Sequence, residues 1–166
     1  MPNQKRKILV AEDNPGLARV LSFKFKSSGF EPVTCGNGGE AWKSFCDTQV
    51  AAVVSDHEMP IMSGIELIER VREMDATLPC FLVTGRQLEL SRDPRVIKLN
   101  IHTVFGKPFS PGTVVSAVAD AINQQAPGQA NPNGQANPNS QASPPAPIGS
   151  PPLSGAPSTG LPGAEA

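Results

Sequence analysis

The chain predicts an α/β domain, a parallel β-sheet buried between two layers of helices. Three observations carry this. Short runs such as Ile8–Ala11 and Val50–Val54 are apolar throughout rather than alternating, the pattern of strands covered on both faces. Between them lie stretches with apolar residues at helical spacing, and each run ends in a polar, proline or glycine signal. Five such strands alternate with five helical stretches within about 120 residues, the βαβ arrangement of a parallel sheet.

Ile8, Leu9, Val10 and Ala11 end in the cluster Glu12, Asp13, Asn14 and Pro15. This reads as a central strand, then a helix with Asn14 as N-cap and Pro15 in its first position. Leu17, Leu21 and Phe25 make one helical stripe with Val20 beside it, and Gly29 supplies the stop. Glu31–Cys35 is a short strand, and Pro32, which has no N–H for a ladder, places it at a sheet edge. Gly36, Asn37, Gly38 and Gly39 make a turn before a helix over Glu40–Thr48 with Ala41, Trp42 and Phe45 inward. Val50–Val54 leads through Ser55 to Asp56, where the strand terminates, and Pro60 interrupts the loop from His57 to Gly64. Ser63 and Glu66 have the spacing of a capping box that opens a helix over Gly64–Met74, with Ile65, Ile68 and Val71 inward. Pro79–Thr84 is a fourth strand. Arg86–Asn100 is charged and broken by Pro94, which predicts only a short or mobile helix. Ile101–Phe105 is the last strand, followed by Gly106, Lys107, Pro108 and Phe109. Ser110 as N-cap and Pro111 then open a helix that turns Val114, Val115, Val118, Ala121 and Ile122 inward. With the first and third strands central, the arrangement fits a flavodoxin-like (βα)5 three-layer sandwich, sheet order 2-1-3-4-5.

The 166 residues divide by composition near Gln125. From Ala126 onward nearly every residue is Pro, Gly, Ala, Asn, Gln or Ser, a composition that cannot bury enough surface to offset its ordering entropy. A domain over residues 5–124 and a disordered tail over residues 125–166 are therefore expected. The tail holds a near-repeat, Gly128–Asn133 and Gly134–Asn139, and clustered prolines, which read as a flexible spacer or a polyproline ligand. Glu165 is its one charged residue, so the domain carries 14 acidic and 14 basic residues. Neutrality without a basic stripe argues against nucleic-acid binding. No run approaches the roughly 20 apolar residues that cross a bilayer. Cys35, Cys46 and Cys80 are odd in number and lack metal-site spacing, which predicts unpaired, packed thiols in a cytoplasmic protein.

Four strands end in polar residues that a parallel sheet gathers at one rim: Glu12 and Asp13, Asp56, Thr84 and Lys107. Three carboxylates brought together repel one another unless a cation joins them. Hard oxygen donors suit magnesium, which commonly bridges carboxylates to a phosphate. Lys107 offers a positive charge and Thr84 a hydroxyl donor, so the set describes an aspartyl-phosphate site.

The runs Ile8–Pro15, Val53–Gly64, Phe81–Gly85 and Gly106–Phe109 resemble the four signature blocks of the response-regulator receiver domain of two-component signalling, in order and at suitable spacing. Asp56 is by this resemblance the phosphoacceptor, and Glu12, Asp13, Asp56 and the backbone carbonyl of Glu58 hold magnesium. Thr84 bonds the phosphoryl group, Lys107 pairs with it, and the bond before Pro108 is cis. The sequence departs from the family at Val104, where an aromatic switch residue is usual; Phe105, as a strand neighbour, points to the other face. Glu58 and Arg86 occupy matching positions across the mouth of the site. They are expected either to govern access of attacking water or to form an exposed ion pair of little consequence. His57 is expected to be a loop residue rather than a phosphate relay.

The resemblance implies a single-domain response regulator phosphorylated on Asp56 by a sensor histidine kinase or a phosphotransfer protein. It is not an enzyme beyond magnesium-dependent self-phosphorylation and autodephosphorylation. Output passes to an unknown protein partner through a shift of Arg86–Asn100 and the last strand, with no nucleic acid or membrane involved. Two alternatives stand beside this reading. One is a receiver-fold binding module that works without phosphate, which Val104 favours. The other is a phosphatase or mutase of the haloacid-dehalogenase type, which wants an aspartate where Glu58 stands.

Overall fold

The computed structural model describes residues 4–126. Five strands, β1 (Lys7–Ala11), β2 (Glu31–Cys35), β3 (Ala52–Asp56), β4 (Cys80–Thr84) and β5 (Thr103–Gly106), pair in parallel in the order β2-β1-β3-β4-β5. The helices are α1 (Pro15–Ser27), α2 (Gly38–Asp47), α3 (Gly64–Met74), α4 (Gln87–Leu90), α5 (Pro94–Lys98) and α6 (Pro111–Gln125). This is the flavodoxin-like sandwich, with β2, the strand that contains Pro32, at one edge.

The two-residue period of each strand divides its side chains between two cores. Leu9, Val53, Cys80 and Leu82 join Ala41, Ile65, Ile68 and Val71 on the α2–α3 side. Ile8, Val10, Val54, Phe81 and Val83 join Leu21, Phe25, Val114, Val118 and Ile122 under α1 and α6. Because both faces are covered, β3 and β4 are buried at every residue.

Local chemistry fixes the elements that surround the site. Asn14 caps α1 by accepting from the N–H groups of Gly16 and Leu17, and Gly29, at φ +89°, ends the turn that follows it. Ser63 and Glu66 form both bonds of the capping box. Gly64 is required by space, since a Cβ there would lie 2.4 Å from the Asp56 carbonyl oxygen. That contact seats the start of α3 directly on the end of β3.

Three expectations are corrected. Gly38 and Gly39 lie in the first turn of α2, which Asn37 caps, and not in a preceding turn. A Cβ on Gly38 would meet the Met62 oxygen at 2.2 Å, so close packing on the β3–α3 loop accounts for this glycine. Arg86–Asn100 is two short helices, broken because Asp93 caps the second through the Arg95 N–H and Pro94 starts it. Ser110 holds the N-cap position of α6 as expected, though without a side-chain bond. Gln125 ends α6 and donates to the Thr77 carbonyl at 2.5 Å, whereas its composition had placed it in the tail. Residues 127–166, which include the near-repeat and the prolines, lie outside the described residues.

At the opposite end of the sheet from the acidic rim, Arg72 of α3 donates to four backbone carbonyls. They are those of Leu78 and Leu99 at 2.7 Å, Asn100 at 3.2 Å and Asp75 at 3.3 Å. One guanidinium thus joins the chain after α3 to the chain after α5. The cysteines are unpaired; Cys35 and Cys80 are buried as expected, but Cys46 is exposed on α2. No helix among the described residues is long and apolar enough to cross a membrane.

Candidate functional site

The carboxyl ends of β1, β3, β4 and β5 bring the polar residues together. Oxygen atoms of Glu12, Asp13 and Asp56 lie within 4.8 Å of one another. Glu12 and Asp56 are almost fully buried, whereas Asp13 is exposed. Lys107 reaches in from the end of β5, its Nζ 2.9 Å from Asp56 Oδ2 and 3.4 Å from Glu12 Oε2. Register places it there. Thr84 pairs with Gly106 at the end of the ladder, and the Lys107 N–H donates to the Thr84 carbonyl at 2.8 Å. The Lys107–Pro108 bond is cis.

Backbone donors orient the acids. Asp56 Oδ1 accepts from the Glu58 N–H at 3.2 Å, and Glu12 Oε1 accepts from the Asn14 N–H at 3.1 Å. Burial, reinforced by Glu12, pushes the Asp56 carboxyl up to about 6, against the opposing pull of Lys107 and the Glu58 N–H. Burial also works against the charge of Lys107, but Asp56 and Glu12 outweigh it and hold the ammonium above its ordinary value. A cluster of hard oxygen donors, two of them buried, in which burial disfavours the charge of Asp56 fits a divalent cation of the magnesium kind.

Thr84 is buried, and its hydroxyl donates to Glu58 Oε1 at 2.6 Å while accepting from the Arg86 N–H at 2.9 Å. Burial raises the Glu58 carboxyl, yet the bond donated by the Thr84 hydroxyl, together with the neighbouring Asp56 carboxyl, leaves it below its usual value. Arg86 does not pair with Glu58. Its guanidinium turns to Glu89, three residues on, so the expected ion pair across the mouth is absent. An i,i+3 partner on the same short helix lies within easier reach than one across the site. His57 lies in the loop after Asp56, and the side-chain bonds formed by Asp56 do not include it.

Val104 packs against the core cluster on the α3 side, level with Leu82 in the sheet, while Phe105 stacks on Phe81 in the other core, with ring centroids 6.3 Å apart. The two strand neighbours therefore face opposite ways. Gln87, at the start of α4, donates to the Val104 carbonyl at 2.8 Å and fills the space beside Gly106. Neither this bridge nor the Glu58–Thr84 bond is readable from the sequence, since both join residues through sheet register rather than through local spacing.

The family model of the response regulator receiver domain matches residues 8–119. The chain belongs to this family. Over 125 residues this receiver domain is 30% identical to the DNA-binding transcriptional regulator NtrC of Azospirillum brasilense, covering 75% of the chain and 26% of that protein. It is 27% identical over 113 residues to the alkaline phosphatase synthesis transcriptional regulatory protein PhoP of Bacillus subtilis, covering 68% of the chain and 47% of that protein. The chain thus spans about a quarter to a half of these relatives. Among solved structures, the response regulator TrrA of Thermotoga maritima, in complex with Mg(2+)-BeF, is 27% identical with a TM-score of 0.63, covering 70% of this chain and 98% of that one. A CheY-like receiver domain protein of Methanospirillum hungatei shares the fold at a TM-score of 0.68 and 20% identity, covering 73% of this chain and 96% of that one.

Proposed function

We propose that the domain accepts a phosphoryl group on Asp56 from a phosphohistidine of a sensor histidine kinase or a phosphotransfer protein, and signals through a protein partner. The observation that carries this reading is Lys107 Nζ at 2.9 Å from a buried Asp56 inside the Glu12–Asp13–Asp56 cluster, beside a buried hydroxyl. A carboxylate oxygen of Asp56 attacks phosphorus, the bond from phosphorus to the donor nitrogen breaks, and its electron pair returns to the imidazole. Lys107 pairs with the phosphoryl oxygens, and the Thr84 hydroxyl turns from Glu58 to donate to one of them. Glu12, Asp13, Asp56 and the backbone carbonyl of Glu58 would hold magnesium, which when bound neutralises charge in the transfer. The magnesium in the TrrA complex supports this assignment. Release is a second displacement, in which water attacks phosphorus, the bond from phosphorus to the Asp56 oxygen breaks with its electron pair returning to the carboxylate, and inorganic phosphate leaves. The domain turns over no other substrate on this reading.

Leu88 on α4 and Ile97 on α5 are large apolar side chains that are mostly exposed. They mark the face through which a cytoplasmic partner would sense a shift that begins at Thr84. Val104, with no aromatic ring to rotate, favours a second reading in which the partner binds without phosphate.

Incubation of the purified protein with a small-molecule phosphodonor, with and without magnesium, separates the two when read by intact mass. One magnesium-dependent phosphoryl group, absent from Asp56→Asn, is the expected result. No addition to folded protein in magnesium would leave the phosphate-independent module.

A further inference from the structure

The Thr84 hydroxyl is engaged on both sides. A hydroxyl has one proton to give, and here it goes to Glu58 Oε1 at 2.6 Å, while the oxygen accepts from the Arg86 N–H. Thr84 therefore has no proton free for an oxygen arriving on Asp56. Its acceptor is a carboxylate, so the bond is charge-assisted and of the stronger kind.

Glu58 touches both partners of the reaction centre. Its N–H orients Asp56 Oδ1, and its carboxylate orients Thr84. Unlike Thr84 and Asp56, Glu58 is exposed, so its side chain has solvent to move into. A phosphoryl group on Asp56 would bring about two negative charges toward that carboxylate and compete for the same proton. Repulsion and competition act in the same direction.

We propose that Glu58 is a positioning residue that holds the Thr84 hydroxyl in the unphosphorylated domain and yields it to the phosphoryl oxygen, so that phosphorylation is coupled to release of the Glu58 side chain. This rests on the reading of Asp56 as phosphoacceptor. It gives Glu58 a role exerted through Thr84 rather than on attacking water, and it does not require Arg86.

Two measurements test it. The first is calorimetric binding of beryllium fluoride with magnesium, as a phosphoryl mimic, to wild type, Glu58→Gln, Glu58→Ala, Thr84→Val and the double variant Glu58→Ala/Thr84→Val. Glu58→Ala is expected to bind about ten-fold tighter than wild type, the size of one lost competing hydrogen bond. Glu58→Gln, which keeps an acceptor without the charge, falls between them. The gain should vanish in the Thr84→Val background. An equal gain there would mean that Glu58 acts by charge alone, and no gain in either background would overturn the proposal outright.

The second measurement needs no phosphoryl mimic. Hydrogen exchange at the Arg86 amide, which reports the Thr84 oxygen, should speed up several-fold in Glu58→Ala and less in Glu58→Gln. Unchanged exchange would show that Glu58 does not hold Thr84. Failure of folded wild type to bind the mimic would remove the phosphoacceptor reading and the competition with it, and the Arg86 amide would still decide the hydrogen bond.

Discussion

Lys107 Nζ meets Asp56 Oδ2 at 2.9 Å although 51 residues separate the two in the chain. The same ammonium lies 3.4 Å from Glu12, whose side chain is 1% exposed. Lys107→Ala would leave two buried carboxylates facing each other without a cation. The expected loss of stability in chelator is about 2 kcal/mol, and millimolar magnesium should recover much of it by re-pairing the acids. Urea denaturation with and without the metal measures both.

Gly64→Ala puts a methyl group 2.4 Å from the Asp56 carbonyl oxygen and 2.8 Å from Leu82 Cδ2. The Asp56 oxygen is backbone and Leu82 is fully buried in the core, so β3 or α3 must shift. A cost of about 3 kcal/mol is expected, and phosphorylation of Asp56 should slow because its strand is displaced. Thermal melting and the intact-mass assay read the two effects separately.

Asp75 accepts through Oδ1 from the Thr77 N–H, the Thr77 hydroxyl and the Leu78 N–H, at 2.9, 3.0 and 2.9 Å. The Thr77 N–H, with help from the Thr77 hydroxyl and the Leu78 N–H, outweighs partial burial and holds this carboxyl below its ordinary value. A depressed folded value gives stability that is complete above the unfolded value of about 3.9 and is lost as pH falls through the folded one. Asp75→Ala should therefore be less stable than wild type at pH 7 by about 1–2 kcal/mol. The difference should shrink as the pH is lowered below 4, which parallel urea titrations would show.

Cys46 is exposed, whereas Cys80 is buried with its thiol pushed up to about 12, mainly by burial, and burial also raises Cys35. The thiolate is the reactive form. Native protein treated with iodoacetamide should gain one adduct quickly, at Cys46, and take up two more only after denaturation. Peptide mass mapping locates them.

The runs Ile8–Ala11 and Cys80–Val83 announce strands buried on both faces because they are apolar at every position, and the structure buries them so. A parallel sheet delivers all its strand ends to one rim, so the meeting of Glu12, Asp13, Asp56, Thr84 and Lys107 is legible from where the apolar runs stop. Side chains one step beyond the strands are less legible. Arg86 and Glu58 sit in loops, where neither strand nor helix period fixes a direction, and each found a partner other than the other. Gly38 misleads for a related reason: a glycine in a Gly-Asn-Gly-Gly stretch signals a turn locally, while its actual need, clearance for Met62, comes from a loop distant in sequence.

The segment from Arg86 to Asn100 is fastened unequally at its two ends. Near the rim two neutral bonds hold it, from the Arg86 N–H to the Thr84 hydroxyl and from the Gln87 amide to the Val104 carbonyl. At the far end Arg72 grips the Leu99 and Asn100 carbonyls with a charged fork that also binds Asp75 and Leu78. Bonds from an ion are about twice as strong as neutral ones, so the rim end is the less firmly held of the two. Of the two exposed apolar residues of the segment, Leu88 lies by the loosely held end and Ile97 by the firmly held one.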